Sequence, residues 1–234
     1  MTAAILAQIL ELGAFLAALF YYRKNKSKPT SYLVFFLGLT VCVEILGWYP
    51  WLIDLGYLSF LRDSLFQKNY WLFNLYGIIS YLFYMNYFKW YLSSKRSIGI
   101  LNRLSILFLV IGVFENVLSG AFFIKFMPIT NIFGTLFVFL SIAFYYLELL
   151  KSDQILQVQK TLPFYISVGA LLFHLCATPF FIYSSYYSNS IDPAFVSLYR
   201  RVIFGINYVL YAIYIAGFLI CYRKENPYYP KKSF

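Results

Sequence analysis

Seven stretches of this chain are continuously apolar for about 20 residues or more, the length of helix that crosses a hydrocarbon slab roughly 30 Å thick. They run near Thr2 to Tyr22, Ser31 to Ile53, Tyr70 to Leu92, Leu101 to Phe123, Met127 to Leu150, Thr161 to Tyr183 and Leu198 to Tyr222. A barrel strand would alternate lipid-facing and lumen-facing residues, and these runs do not. Of 234 residues, 62% are hydrophobic and only 12% charged, more apolar surface than a water-soluble core hides. The sequence predicts an all-α integral membrane protein, one membrane domain over residues 1–234 built as a seven-transmembrane helix bundle. The first window reads as a span and not a cleaved leader. It has no basic residue before it, contains Gln8 and Glu11, and ends in Tyr21-Tyr22-Arg23-Lys24.

Basic residues orient the bundle, because short cytoplasmic loops retain Lys and Arg. With the amino terminus outside, Arg23, Lys24, Lys26, Lys28, Lys95, Arg96, Arg103, Lys151, Lys160, Arg223, Lys224, Lys231 and Lys232 fall on one side. Arg62, Lys68, Lys125, Arg200 and Arg201 fall on the other. The expectation is an N-terminus outside and a C-terminus cytoplasmic, which accounts for the net charge of +10 without nucleic acid as a partner. The sequon Asn25-Lys26-Ser27 then faces the cytoplasm and is not a glycosylation site.

Cys42, Cys176 and Cys221 all fall within predicted spans, with no spacing that reads as a disulfide framework or metal site. The longest connections, Asp54 to Asn69 and Ser184 to Ser197, are too short to fold alone. In the first, Arg62, Asp63, Gln67 and Lys68 alternate with Leu58, Phe60, Leu61, Leu65 and Phe66, which fits either an interfacial amphipathic helix or an ordinary loop. The tail from Lys224 to Phe234 is too short for an effector module.

Polar residues inside the spans are the informative ones, since an ionisable side chain at the bilayer centre costs at least about 2.5 to 3.5 kcal/mol and needs a partner. Glu11, Glu44, Glu115, His174 and Asn207 stand out, each some eight to ten residues from the outer end of its window, roughly 12 to 15 Å deep. Helical spacing extends them: Gln8 with Glu11, Thr40 with Glu44, Ser119 with Glu115, Thr178 with His174. Asn116 is placed beside Glu115 in the same set. Asn207, Tyr211 and Tyr214 form one stripe, and Asn74, Gly77, Tyr81 and Tyr84 another. The pattern predicts a polar, aromatic-lined cavity that binds a ligand through Glu11, Glu44, Trp48, Asn74, Tyr81, Glu115, Asn116, His174, Thr178, Asn207 and Tyr211. Interhelical hydrogen bonding is the structural alternative for each of them.

Pro50 and Pro179 each remove a backbone donor and predict kinks near Glu44 and His174. The cavity would then open outward beneath Trp48, Tyr49 and Trp51. Trp51 reads as part of the interfacial aromatic belt, whereas Trp48, one turn above Glu44, fits either the belt or the site.

Counting narrows the chemistry. One histidine excludes a bis-histidine haem and a three-histidine zinc centre. No lysine lies between Gly205 and Ile220 for a retinal Schiff base, and no GxSxG, HExxH or P-loop pattern is present. A Glu44, Glu115 and His174 metal set is the remaining metal arrangement, and the expectation is no metal and no cofactor. Three functions fit. The leading one is a sensor or receptor-like bundle that binds a small or lipophilic ligand and signals to a separate cytoplasmic partner docked on Arg23 to Lys28 and Lys95 to Arg103. The second is a small-solute transporter with three helices, a linker helix and three more, which the Asn74/Tyr81 and Asn207/Tyr214 spacings echo. The third is a membrane-embedded acid/base enzyme acting on a lipid or isoprenoid with Glu44, Glu115 and His174 as its catalytic groups.

The segments Tyr70-Trp-Leu-Phe-Asn-Leu-Tyr76, Leu162-Pro-Phe-Tyr-Ile-Ser-Val-Gly169 and Asn207-Tyr-Val-Leu-Tyr211 resemble those of small, uncharacterised seven-transmembrane proteins of Bacteroidota. Some of these are encoded beside sensor kinases. The resemblance implies a bacterial inner-membrane protein with a signalling role, and carries over no functional residue.

Overall fold

The computed structural model describes residues 2–183 and 193–223. These form eight α-helices and three 3-10 segments, with no strand among the described residues. The helices are α1 (Thr2–Lys24), α2 (Lys28–Leu46), α3 (Tyr49–Asp54), α4 (Tyr70–Lys89), α5 (Lys95–Ser119), α6 (Pro128–Leu150), α7 (Leu162–Ile182) and α8 (Pro193–Arg223). Taking α2 and α3 as one segment, six are long and apolar enough to cross a membrane, which makes this a multi-pass membrane protein. Most of the Ser184 to Ser197 connection and the whole tail from Lys224 lie outside the described residues.

Local chemistry sets the helix ends. The Ser27 hydroxyl accepts the Thr30 amide at the start of α2, and the Ser94 hydroxyl accepts that of Ser97 at the start of α5. Proline occupies the first turn of α2, α6 and α7, where its missing N–H has no helical partner to lose. Gly120, at φ 57°, ends α5 in the left-handed region that favours glycine. The fourth apolar window was expected over Leu101 to Phe123. The helix instead runs from Lys95 to Ser119, because Ser94 and Gly120 punctuate it. The second window is not one helix: it breaks at Gly47 and Trp48 before Pro50, and the freed Gly47 carbonyl accepts the Asn69 side chain at 2.7 Å. Between Leu55 and Asn69 the chain makes turns and one 3-10 segment, Ser59–Leu61, so the loop alternative holds there.

The long helices alternate in direction. Neighbours around a ring are α1, α2, α4, α6, α7 and α8, which returns to α1, while α5 packs outside the ring against α4 and α6. The outer face of α5 carries Ile106, Val110, Val113 and Val117, all exposed and spaced for a lipid-facing stripe. By contrast α4, the long helix that is not among those six, buries Asn74, Tyr81, Tyr84 and Tyr87 among its neighbours. Its polar groups are shielded by protein rather than facing lipid.

The half of the ring near Lys24 is filled with rings. Tyr87, Phe88, Tyr145 and Phe218 are all buried there, with Tyr87 and Phe88 centroids 5.3 Å apart and Phe88 and Tyr145 5.7 Å apart. The half near Thr2 is not filled.

Candidate ligand-binding cavity

Inside the ring, toward the Thr2 end, lies a cavity of about 340 Å³. All six ring helices contribute to it, and α5 does not. Glu11 comes from α1, Glu44 from α2, Asn74 and Tyr81 from α4, His174 from α7, and Asn207 and Tyr211 from α8. Seven of the eleven residues expected at a site therefore meet on one space.

Four do not. Glu115, on the peripheral α5, cannot reach the ring interior. Its Oε1 accepts the Ile129 amide at 3.1 Å, and its Oε2 accepts the Thr130 amide at 2.7 Å and hydroxyl at 2.6 Å. It lies four residues from the end of α5 rather than near mid-depth. Met127, at the cap position of α6, has no side-chain acceptor, so Glu115 supplies one to the exposed amides of the first turn. Asn116 shares that helix and does not line the cavity. The Thr178 hydroxyl is occupied by the His174 carbonyl at 2.6 Å and the Thr135 hydroxyl at 2.9 Å. Trp48 lines a separate groove of about 230 Å³ with Gly47, Pro50, Trp51 and Asn69. Glu44 and Phe73 line both spaces and form the wall between them. The Glu44, Glu115 and His174 set, whether read as a metal site or as an acid/base centre, is thus not assembled. Among the described residues no three His, Cys, Asp or Glu side chains are grouped to hold a metal.

Several lining groups are already committed to the protein. Asn74 donates to the Phe122 and Lys125 carbonyls at 2.8 and 2.9 Å, tying down the approach to α6. Tyr81 donates to Asn131 Oδ1 at 3.1 Å, Asn207 donates to the Ile203 carbonyl at 2.8 Å, and the Tyr84 and Tyr214 hydroxyls pair at 2.9 Å. Thr40 donates to the Phe36 carbonyl and pairs with the Tyr76 hydroxyl, each at 2.9 Å.

Two groups keep buried polar atoms that have no partner. His174 is 3% exposed, and neither ring nitrogen has a hydrogen-bond partner. Its ring is held by aromatic contacts instead, 5.1 Å from Tyr81, 5.6 Å from Tyr84 and 5.3 Å from Phe173. Glu11 is also 3% exposed, and its Oε1 has no partner. The Tyr211 hydroxyl faces the Glu11 carboxyl as a donor, and the Glu44 carboxyl is close enough to repel it. A buried polar atom left unpaired costs about 1 to 3 kcal/mol, so three such atoms on one empty space mark it as a place for something that can pair with them.

Close packing positions the rings. A Cβ on Gly134 would lie 2.5 Å from the Tyr81 ring, and one on Gly169 would lie 2.6 Å from Tyr214. Both tyrosines rest directly on backbone. Tyr76, Phe36, Phe73 and Asn131 also line the cavity, outside the expected set. Tyr76 directly precedes Gly77 in a Tyr-rich helix, and a period of 3.6 residues does not separate such neighbours cleanly. No protein family, no curated protein and no solved structure matches this chain.

Proposed function

We propose that this chain is a seven-span sensor that binds a small molecule in the cavity and passes a helix shift to a separate cytoplasmic partner. The observation that carries the reading is the set of orphaned buried atoms, Glu11 Oε1 and both nitrogens of His174, lining one cavity. In this reading α4 joins the six as a further span, third in chain order, its 20 residues reaching roughly 30 Å. The Thr2 end faces outward and the basic Lys24 end faces the cytoplasm. The resemblance to Bacteroidota membrane proteins is in keeping with a bacterial inner membrane. The ring-filled half near Lys24 favours sensing over passage, because Tyr87, Phe88 and Tyr145 occupy the route a solute would take.

Gly77 supplies the test. It lines the cavity, and a Cβ there would meet no atom within 4 Å, so Gly77→Trp places an indole into the empty space. Native mass spectrometry of protein released from its own membranes should show a small-molecule adduct on the wild type and none on Gly77→Trp. Identical spectra for the two would remove the cavity as a binding site.

A carrier is the second reading, favoured by the convergence of the two echoing stripes, Asn74/Tyr81 and Asn207/Tyr214, on the same cavity. Uptake of the adduct compound into proteoliposomes would decide for it, and binding without flux decides for the sensor.

A further inference from the structure

The chain carries 19 Lys and Arg residues against nine Asp and Glu. Among the described residues, two of those acids line the cavity and no Lys or Arg does. A basic protein has thus kept the cations among its described residues out of this internal space and placed two carboxyls in it. These carboxyls, Glu11 and Glu44, line the same cavity from α1 and α2, within electrostatic reach of each other. The surrounding hydroxyl-bearing rings act on both: Tyr76 and Tyr211 each lie within electrostatic reach of Glu11 and Glu44. Phe36 stacks parallel to Tyr76 at 6.2 Å and meets Tyr84 edge-on at 5.6 Å, extending the aromatic wall.

Two acids in a low-dielectric space need a positive charge between them or a proton on at least one. Aromatic faces add attraction for a cation, because the ring quadrupole presents negative charge to it. Apolar and aromatic walls around one charged end describe an amphipathic ligand. A volume near the lower end of the roughly 300 to 1,000 Å³ usual for ligand pockets sets its size at about one ring and a short chain.

Resting on the sensor reading above, we infer that the cavity recognises a small lipophilic organic cation, an arylalkylamine in its ammonium form, seated between Glu11 and Glu44. The ammonium donates to the orphaned Glu11 Oε1 and to Glu44. The aromatic body of the ligand lies toward His174, whose imidazole supplies a donor and an acceptor for a substituent. Glu44, shared with the Trp48 groove, is the first carboxyl that such a cation meets on entering from that side.

The experiment compares ammonium compounds with neutral molecules of the same shape. Binding of 2-phenylethylamine and tryptamine at neutral pH is measured by calorimetry on the full chain in nanodiscs, beside 2-phenylethanol and tryptophol. The expected result is binding of at least one amine about tenfold tighter than its alcohol, with a loss of about tenfold or more in Glu11→Gln and again in Glu44→Gln. The glutamines keep the side-chain volume, and unfolding of each variant without probe reports that it is folded. The amine-to-alcohol ratio in the wild type needs no variant at all. Equal binding of amine and alcohol, unchanged in both glutamine variants, would overturn the cation assignment and leave the ligand-binding cavity standing. No binding of any of the four compounds, together with no adduct on the native protein, would overturn both.

Discussion

Glu115, near the end of α5, binds the start of α6, and Glu148, near the end of α6, binds the start of α5. Glu148 accepts the Ser93 amide and, at 2.9 Å, the Ser94 amide, while Glu115 accepts the amides of Ile129 and Thr130. Two antiparallel helices thus exchange acceptors at opposite ends, each carboxyl sitting where the helix dipole of the other favours negative charge. The exchange fixes the peripheral α5 to the ring and accounts for two of the four glutamates in the long helices, Glu115 and Glu148, without a ligand.

Replacing Glu115 by Ala should therefore cost about 2 kcal/mol, since it strips three donors of their acceptor in a buried place. Glu148→Ala should cost less, about 1 kcal/mol, because its Ser93 bond is solvent-exposed. The two sites stand a helix length apart, roughly 30 Å, so the double variant should show the sum of the two losses. Unfolding in matched detergent measures this. Any loss of cavity binding in a folded Glu115→Ala protein would contradict the separation of α5 from the site.

Much of this was legible in the residues. The apolar windows locate every long helix, and spacings of three, four and seven bring Glu11, Glu44, Tyr81, His174 and Tyr211 to one space. Depth along a window is legible as well, but it does not say which helices close the ring. Glu115 fitted the expected depth only because its window was read on to Phe123; α5 ends at Ser119 and lies outside the ring, a matter of long-range packing. A weaker signal was available: α6 opens on Met127-Pro128 without its own capping side chain, so an acceptor had to come from elsewhere. The displacement of Trp48 from the cavity follows from the break at Gly47, which turns the chain one residue before the indole.

Two glycines should respond to alanine with opposite sign. Gly134→Ala drives a methyl into the Tyr81 ring, displaces the side chain that supports His174 and should cost about 1 to 3 kcal/mol. Gly99, inside α5, has open space around the same added atom. Its alanine variant should gain about 0.5 to 1 kcal/mol through lower backbone entropy in the unfolded chain. Thermal unfolding of the pair, measured side by side, checks both signs.

Orientation can be read by cysteine labelling. Tyr57, in the loop before α4, is 78% exposed, and Lys26, between α1 and α2, is exposed at the opposite end. In a background lacking Cys42, Cys176 and Cys221, Tyr57→Cys should react with a membrane-impermeant maleimide in intact cells. Lys26→Cys should react only after the membrane is opened. The reverse pattern would invert the bundle and set aside the cytoplasmic-partner proposal.

His174 gives the sharpest separation of stability from function. Its ring is gripped by Tyr81, Tyr84 and Phe173, contacts that a phenyl ring can also make. Its two nitrogens are buried without partners, a cost of about 1 kcal/mol or more that Phe does not carry. His174→Phe should therefore raise the unfolding temperature of the ligand-free protein while weakening binding of any ligand that pairs with the imidazole. A residue held only for packing would show no such trade, because Phe would improve the packing and leave nothing else to lose. If the variant is instead destabilised and binds as the wild type does, the imidazole has a partner within the fold and the cavity loses its strongest mark.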